Sequence, residues 1–299
     1  MNGLHCSPIW PQPPVDSAVE KRQHLSGAAS SLTRTELDFP TRIPRNRTAM
    51  NANRIRLLIT LAFAPLALAA CKQEASAPAG EAPKGEAVAA VAPPAGKTWT
   101  EVIEATPEGG YRVGNPNAPV KLMEYGALSC SHCAEFSEAA TKELLGDFVT
   151  SGKVSYELRF FMLNALDVPA TLLATCGSPE AVLTLAEQFW AFQPTMFETL
   201  QSNEAQFQQA SALPPAQRFT AIAKAGGMDA FFASRGISQA QGQACTADVN
   251  KATALANATN KAATEMGITG TPTFFINGAK IEGNTWAVVK TALQNAGAR

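Results

Sequence analysis

Hydrophobic positions along this chain change their period several times, and each change marks a predicted element. Val120-Lys121-Leu122-Met123-Glu124-Tyr125 is a short run of β-formers and reads as a strand. Directly after it, Cys133, Phe136, Ala140, Leu144 and Phe148 recur at helical steps and share one face. Val154, Tyr156, Leu158, Phe160 and Met162 then alternate with Ser155, Glu157 and Arg159, which predicts a second strand with one apolar face. The next stretch, about 100 residues, has helical spacing and no convincing strand. Within it Leu185, Phe189 and Phe192 share a face ahead of Pro194. Phe219 with Ile222 and Phe231 with Phe232 mark shorter helices, set apart by Pro214-Pro215 and Gly226-Gly227. Thr273-Phe274-Phe275-Ile276 runs into Asn277-Gly278, a strong hairpin signal, and on to Ala279-Lys280-Ile281. Asn284 is the expected cap of a closing helix whose Trp286, Val289 and Leu293 face inward. There is no internal repeat.

From Thr98 to the end, at residue 299, the order is therefore strand, helix, strand, helical block, hairpin, helix. Such an order gives an α/β domain over 98–299: a βαβ unit and a ββα unit share one sheet, with helices inserted at about 165–266. Upstream, the apolar run Leu57 to Leu68 follows Arg54 and Arg56 and ends in Leu68-Ala69-Ala70-Cys71. It reads as a secretory signal, too short to cross a bilayer as a helix. Met50 stands where such a signal begins. Residues 1–49 are accordingly expected to be an over-extended start or a disordered leader, and 50–70 the signal peptide. Residues 71–97, almost all Ala, Pro, Gly, Glu and Lys, are expected to form a flexible tether spanning roughly 25–30 Å.

A net charge of -1 over 299 residues gives no electrostatic case for nucleic acid, and 46% hydrophobic residues suffice for one good-sized core. The cysteines say more. With Cys6 upstream of the signal and Cys71 at its end, four remain: Cys130, Cys133, Cys176 and Cys245. An even number suits two pairs in an oxidising compartment. Cys130-Ser131-His132-Cys133 falls at a strand-to-helix junction, where free N–H groups and the helix dipole favour a thiolate at Cys130. A closed zinc site is hard to assemble, because His5 and His24 lie before the cleavage point and there is no second CxxC. Reversible dithiol chemistry with no metal or organic cofactor is expected; a dithiol metal chaperone is the rival from another class. Glu124 shares strand parity with Val120 and Leu122, which turns its carboxyl to the core, raises its pKa and suits it to relay the Cys133 proton.

Two resemblances add to this reading. Leu68-Ala69-Ala70-Cys71 resembles the lipobox of bacterial lipoproteins, which implies a lipid anchor on Cys71. The CxxC junction, the inserted helices and Gly270-Thr271-Pro272-Thr273-Phe274-Phe275 together resemble the DsbA-like thiol-disulfide oxidoreductases of the thioredoxin superfamily, over about residues 99–299. That resemblance implies a thioredoxin fold with a helical subdomain. It makes Cys130 the nucleophile and Cys133 the resolving cysteine, with His132 beside them. Thr271-Pro272 matches the cis-proline loop, and Glu124 the buried acid. It also implies a structural disulfide between Cys176 and Cys245. Ser131 stands where the best-known members carry proline, and Thr271 also occurs before the proline of isomerase and reductase relatives. Isomerases of this kind usually carry an N-terminal dimerisation domain where this chain has its tether, which favours a monomer. The implied function is oxidation of secreted protein thiols on the periplasmic side of the bacterial cell envelope, with a membrane partner that reoxidises the dithiol. The alternative is a reductase or isomerase driven by a membrane electron donor.

Overall fold

The computed structural model describes residues 85–299. Its centre is β3 (Val120–Gly126), in which Val120, Leu122 and Glu124 are buried on one face while Tyr125 is buried on the other. β3 runs parallel to β4 (Val154–Phe160) and antiparallel to β5 (Thr273–Ile276). β1 (Ile103–Ala105), β2 (Tyr111–Gly114) and β6 (Ala279–Lys280) complete a six-stranded sheet of order β1-β2-β4-β3-β5-β6. The β1–β2 hairpin was not anticipated. Its strands are three and four residues long and only partly buried, so no period-2 pattern develops.

α1 (Ser131–Glu143) follows β3 and buries Cys133, Phe136, Ser137 and Ala140; a wider turn, Leu144–Val149, continues it and buries Leu144 and Phe148. The closing helix α9 (Trp286–Asn295) joins the same layer, with Trp286 edge-on to Phe136 and Phe148 and Phe136 against Phe274 of β5. Its N-cap is Thr285, one residue beyond the expected Asn284.

Between β4 and β5 lie seven helices: α2 (Asp167–Ala174), α3 (Pro179–Ser202), α4 (Glu204–Ser211), α5 (Pro215–Ala225), α6 (Met228–Ala233), α7 (Gln239–Thr246) and α8 (Val249–Glu265). The sheet and this insertion bear out the expected thioredoxin fold with a helical subdomain. α3 does not stop at Pro194. Proline removes one helical hydrogen bond, but Gln193 and Met196 on either side are buried, and their packing carries the helix on to Ser202. Phe189, Phe192, Phe231 and Phe232 form an aromatic cluster that joins α3 to α6. Cys176 and Cys245 are bonded, which ties the α2–α3 loop to α7. α8 covers the opposite sheet face through Ala262, beside Tyr125, Phe161 and Phe275.

The tether expected to run as far as residue 97 meets the domain earlier. Gly85 N–H donates to Asn295 O at 2.8 Å, Val88 N–H to Gly297 O at 2.9 Å and Val91 N–H to Ser151 O at 3.0 Å. Backbone pairing of this kind holds a chain that has few apolar side chains of its own. The expected leader, signal peptide and Cys71 lie outside the described residues. Among the described residues no helix is long and apolar enough to cross a membrane.

Candidate active site

Cys130 is the N-cap of α1 and Cys133 lies one turn inside it, so the fold sets two thiols side by side at the end of the central strand. They differ in exposure: Cys130 is 8% accessible and Cys133 is 0%. They differ in acidity as well. A hydrogen bond from the Cys133 thiol lowers the Cys130 pKa to about 6, against the effect of burial and with help from Thr271 and from the backbone N–H groups of Cys133 and His132. Burial pushes Cys133 well above the ordinary thiol value, and its hydrogen bond to Cys130 and the charge of Glu124 add to that. One sulfur is thus held as a thiolate and its neighbour as a thiol.

The Thr271-Pro272 peptide bond is cis, and the loop it shapes faces the dithiol. While it keeps its proton, the Cys130 thiol donates to Thr271 O at 3.2 Å. The Thr271 hydroxyl is buried with no other partner among the described residues, free to turn towards the thiolate once the proton has gone. The His132 side chain is exposed, and the residue reaches Cys130 through its backbone N–H.

Glu124 lies beneath, 0% accessible, between Leu158 and Phe274 in register. Burial pushes its carboxyl up to about 8; a hydrogen bond from Tyr156 at 2.7 Å pulls the other way, and the Cys130 charge adds a further rise. Its Oε1 has no partner among the described residues, and Glu124 lines a cavity of about 90 Å³ with Ser137, Thr141, Tyr156 and Glu187. At neutral pH Glu124 holds a proton close to the Cys133 thiol.

Sequence reasoning missed the residues that fix the loop between β3 and Cys130. Trp190 Nε1 donates to Ala127 O at 3.0 Å and Gln193 Nε2 to Leu128 O at 2.9 Å, both from one face of α3. Asp167, wholly buried at the start of α2, accepts from Ser129 N–H at 2.8 Å. Three-residue spacing on α3 was the one available signal for the first two. Asp167 gave none, because an acid in a first helical turn reads as an ordinary cap.

A mixed sheet with a dithiol at the first turn of its first long helix, faced by a cis-proline loop, defines a thioredoxin-fold protein. The family model described as Thioredoxin matches residues 106–295, and the chain belongs to that family, with seven helices inserted between β4 and β5. A provisionally named protein-disulfide oxidoreductase of Rickettsia conorii is 25% identical over 231 residues, which are 75% of this chain and 70% of the relative. Its counterpart from Rickettsia prowazekii is 24% identical over 191 residues, 62% of this chain, and the chain spans 60% of that relative's length. The crystal structure of a protein-disulfide isomerase from Novosphingobium aromaticivorans superposes with a TM-score of 0.58 at 29% identity, over 62% of this chain and 95% of that one.

Proposed function

We propose that this chain is an exported thiol-disulfide oxidoreductase that oxidises the thiols of secreted proteins through Cys130 and Cys133. The observation that carries the reading is the opposed acidity of two adjacent sulfurs, Cys130 down to about 6 and Cys133 well up. At neutral pH a thiol of pKa about 6 is roughly nine-tenths thiolate, whereas an ordinary one near 8.5 is only a few per cent. That difference stabilises the reduced protein by about 1.4 kcal/mol, equivalent to about 30 mV towards an oxidising disulfide.

The exchange balances as follows. A substrate thiolate attacks Cys130 Sγ in the oxidised enzyme, the Cys130–Cys133 bond breaks, and Cys133 leaves with the electron pair. Cys133 takes a proton, for which protonated Glu124 is the buried source. A second substrate thiolate then attacks the substrate sulfur of the mixed disulfide and expels Cys130 as the stabilised thiolate. Substrate loses two electrons and the enzyme gains them; a membrane redox partner removes them. No metal or organic cofactor enters these steps. A lipid anchor on Cys71 holds the protein at the periplasmic face of the envelope as a monomer.

Similarity to the Novosphingobium protein-disulfide isomerase favours a second reading, isomerisation by the reduced enzyme. Trapping tests both. In Cys133→Ala the mixed disulfide cannot be resolved internally, so conjugates accumulate on non-reducing gels when the variant meets substrates that already carry disulfides, and Cys130→Ala forms none. Conjugates on Cys130→Ala instead would show the nucleophile misassigned. Wild type that reshuffles a scrambled substrate faster than it oxidises a reduced one would replace oxidation by isomerisation.

A further inference from the structure

We infer that Asp167 is a positioning residue for Cys130: through Ser129 it sets the loop that places the nucleophilic sulfur over the first turn of α1. The inference rests on the proposed thiol chemistry and adds to it a residue of the inserted helical region.

Each of the three residues before Cys130 is held from the insertion. Ala127 O and Leu128 O are fixed by Trp190 and Gln193 of α3. The third anchor is Asp167. Its Oδ1 accepts from Ser129 N–H at 2.8 Å; its Oδ2 accepts from the Ser129 hydroxyl at 3.0 Å, Leu163 N–H at 2.9 Å and Asn164 N–H at 3.0 Å. Asn164 Nδ2 donates in turn to the Ser129 hydroxyl at 2.7 Å. The carboxylate therefore clamps two chain segments together, the residue before Cys130 and the loop that leads from β4 to α2. Two of its four bonds are local, to backbone N–H groups of the loop just before α2. The two to Ser129 serve no helix of their own, and they come from 38 residues away.

The alternative roles predict different signs. As a bare charge, a buried carboxylate near Cys130 opposes thiolate formation, so neutralising it would lower the thiol pKa. As a fold-stabilising clasp on its own loop alone, its loss would lower stability and leave the thiol untouched. As a positioning group, its loss frees Ser129, lets the Cys130 sulfur drift from the N–H groups of His132 and Cys133 and from the Cys133 thiol, and raises the pKa.

The test uses the full domain with the Cys176–Cys245 bridge intact and titrates the Cys130 thiolate by its ultraviolet absorbance in wild type, Asp167→Asn and Ser129→Ala. In Asp167→Asn one oxygen becomes an amide that can only donate, and it meets a donor on one side or the other, so the clamp opens. The expected result is a Cys130 pKa raised by about one unit, a tenfold loss of thiolate below the pKa, with a smaller rise in Ser129→Ala. A lowered or unchanged value in folded Asp167→Asn overturns the inference. If that variant does not fold, an unchanged value in Ser129→Ala overturns it. Failure of the functional reading shows separately, as a wild-type Cys130 with an ordinary thiol pKa or with no exchange activity.

Discussion

Replacing Glu124 by Gln should make the stability of this protein less dependent on pH, and by a calculable amount. In wild type the carboxyl sits at about 8, against 4.5 when solvated, because it is wholly buried with one hydrogen-bond donor for two oxygens. A folded-state pKa raised above the unfolded value means that the folded chain holds the proton more tightly. The penalty is absent below about 4.5, grows as pH rises towards 8 and is complete above it. At about 1.4 kcal/mol per unit the full gap corresponds to about 5 kcal/mol. Water entering the adjoining cavity softens the desolvation, so the variant is expected to gain about 3–5 kcal/mol on wild type between about pH 4 and pH 9. Below the window the Glu124→Gln variant gains nothing and loses slightly, since its amide N–H groups face the space where Oε1 has no partner. Urea unfolding at a series of pH values measures this, in a background of Cys130→Ala and Cys133→Ala so that the active-site thiols do not titrate. A difference between the two proteins that does not change with pH would refute the argument. With both cysteines restored, Glu124→Gln should also slow formation of the mixed disulfide from the oxidised enzyme at neutral pH, because the buried proton source for the departing Cys133 has gone.

Two further outcomes follow from other parts of the chain. The Cys176–Cys245 bridge closes a loop with a sequence separation of 69, worth about 4 kcal/mol in the chain-entropy treatment; a Cys176→Ser, Cys245→Ser protein should lose stability of that order in urea. In wild type, mass mapping under graded reductant should find this bridge intact after the Cys130–Cys133 pair has opened. Cys71→Ser should release the protein from the membrane fraction or block its processing, and a normally processed, membrane-bound variant would remove the lipid anchor from the account.

Most of what positions the dithiol was legible in the chain. Strand β3, the apolar stripe of α1 and the alternation of β4 are each long enough to show a period, and Asn277-Gly278 marks the β5–β6 turn by its backbone demands alone, with Asn277 at φ 51° and Gly278 at 84°. Glu124 was found by parity and by resemblance. Elements that depend on distant partners were not legible. β1 and β2 exist because β4 offers an edge to pair with, and α3 passes Pro194 because both flanks are buried. The same holds for the site: the Tyr156 hydroxyl is read as part of an apolar strand face until Glu124 is seen beside it, and Asp167 acquires its role only when Ser129 is folded onto it.

The reduction potential of the Cys130–Cys133 pair, measured by equilibration with glutathione while the Cys176–Cys245 bridge stays closed, tests the central claim most directly. A thiolate stabilised in the folded, reduced protein makes the disulfide a strong oxidant, and the account predicts a value between about -180 and -120 mV, the interval between protein disulfide isomerase and DsbA. A value near about -270 mV, that of thioredoxin, would contradict it and make this chain a reductant.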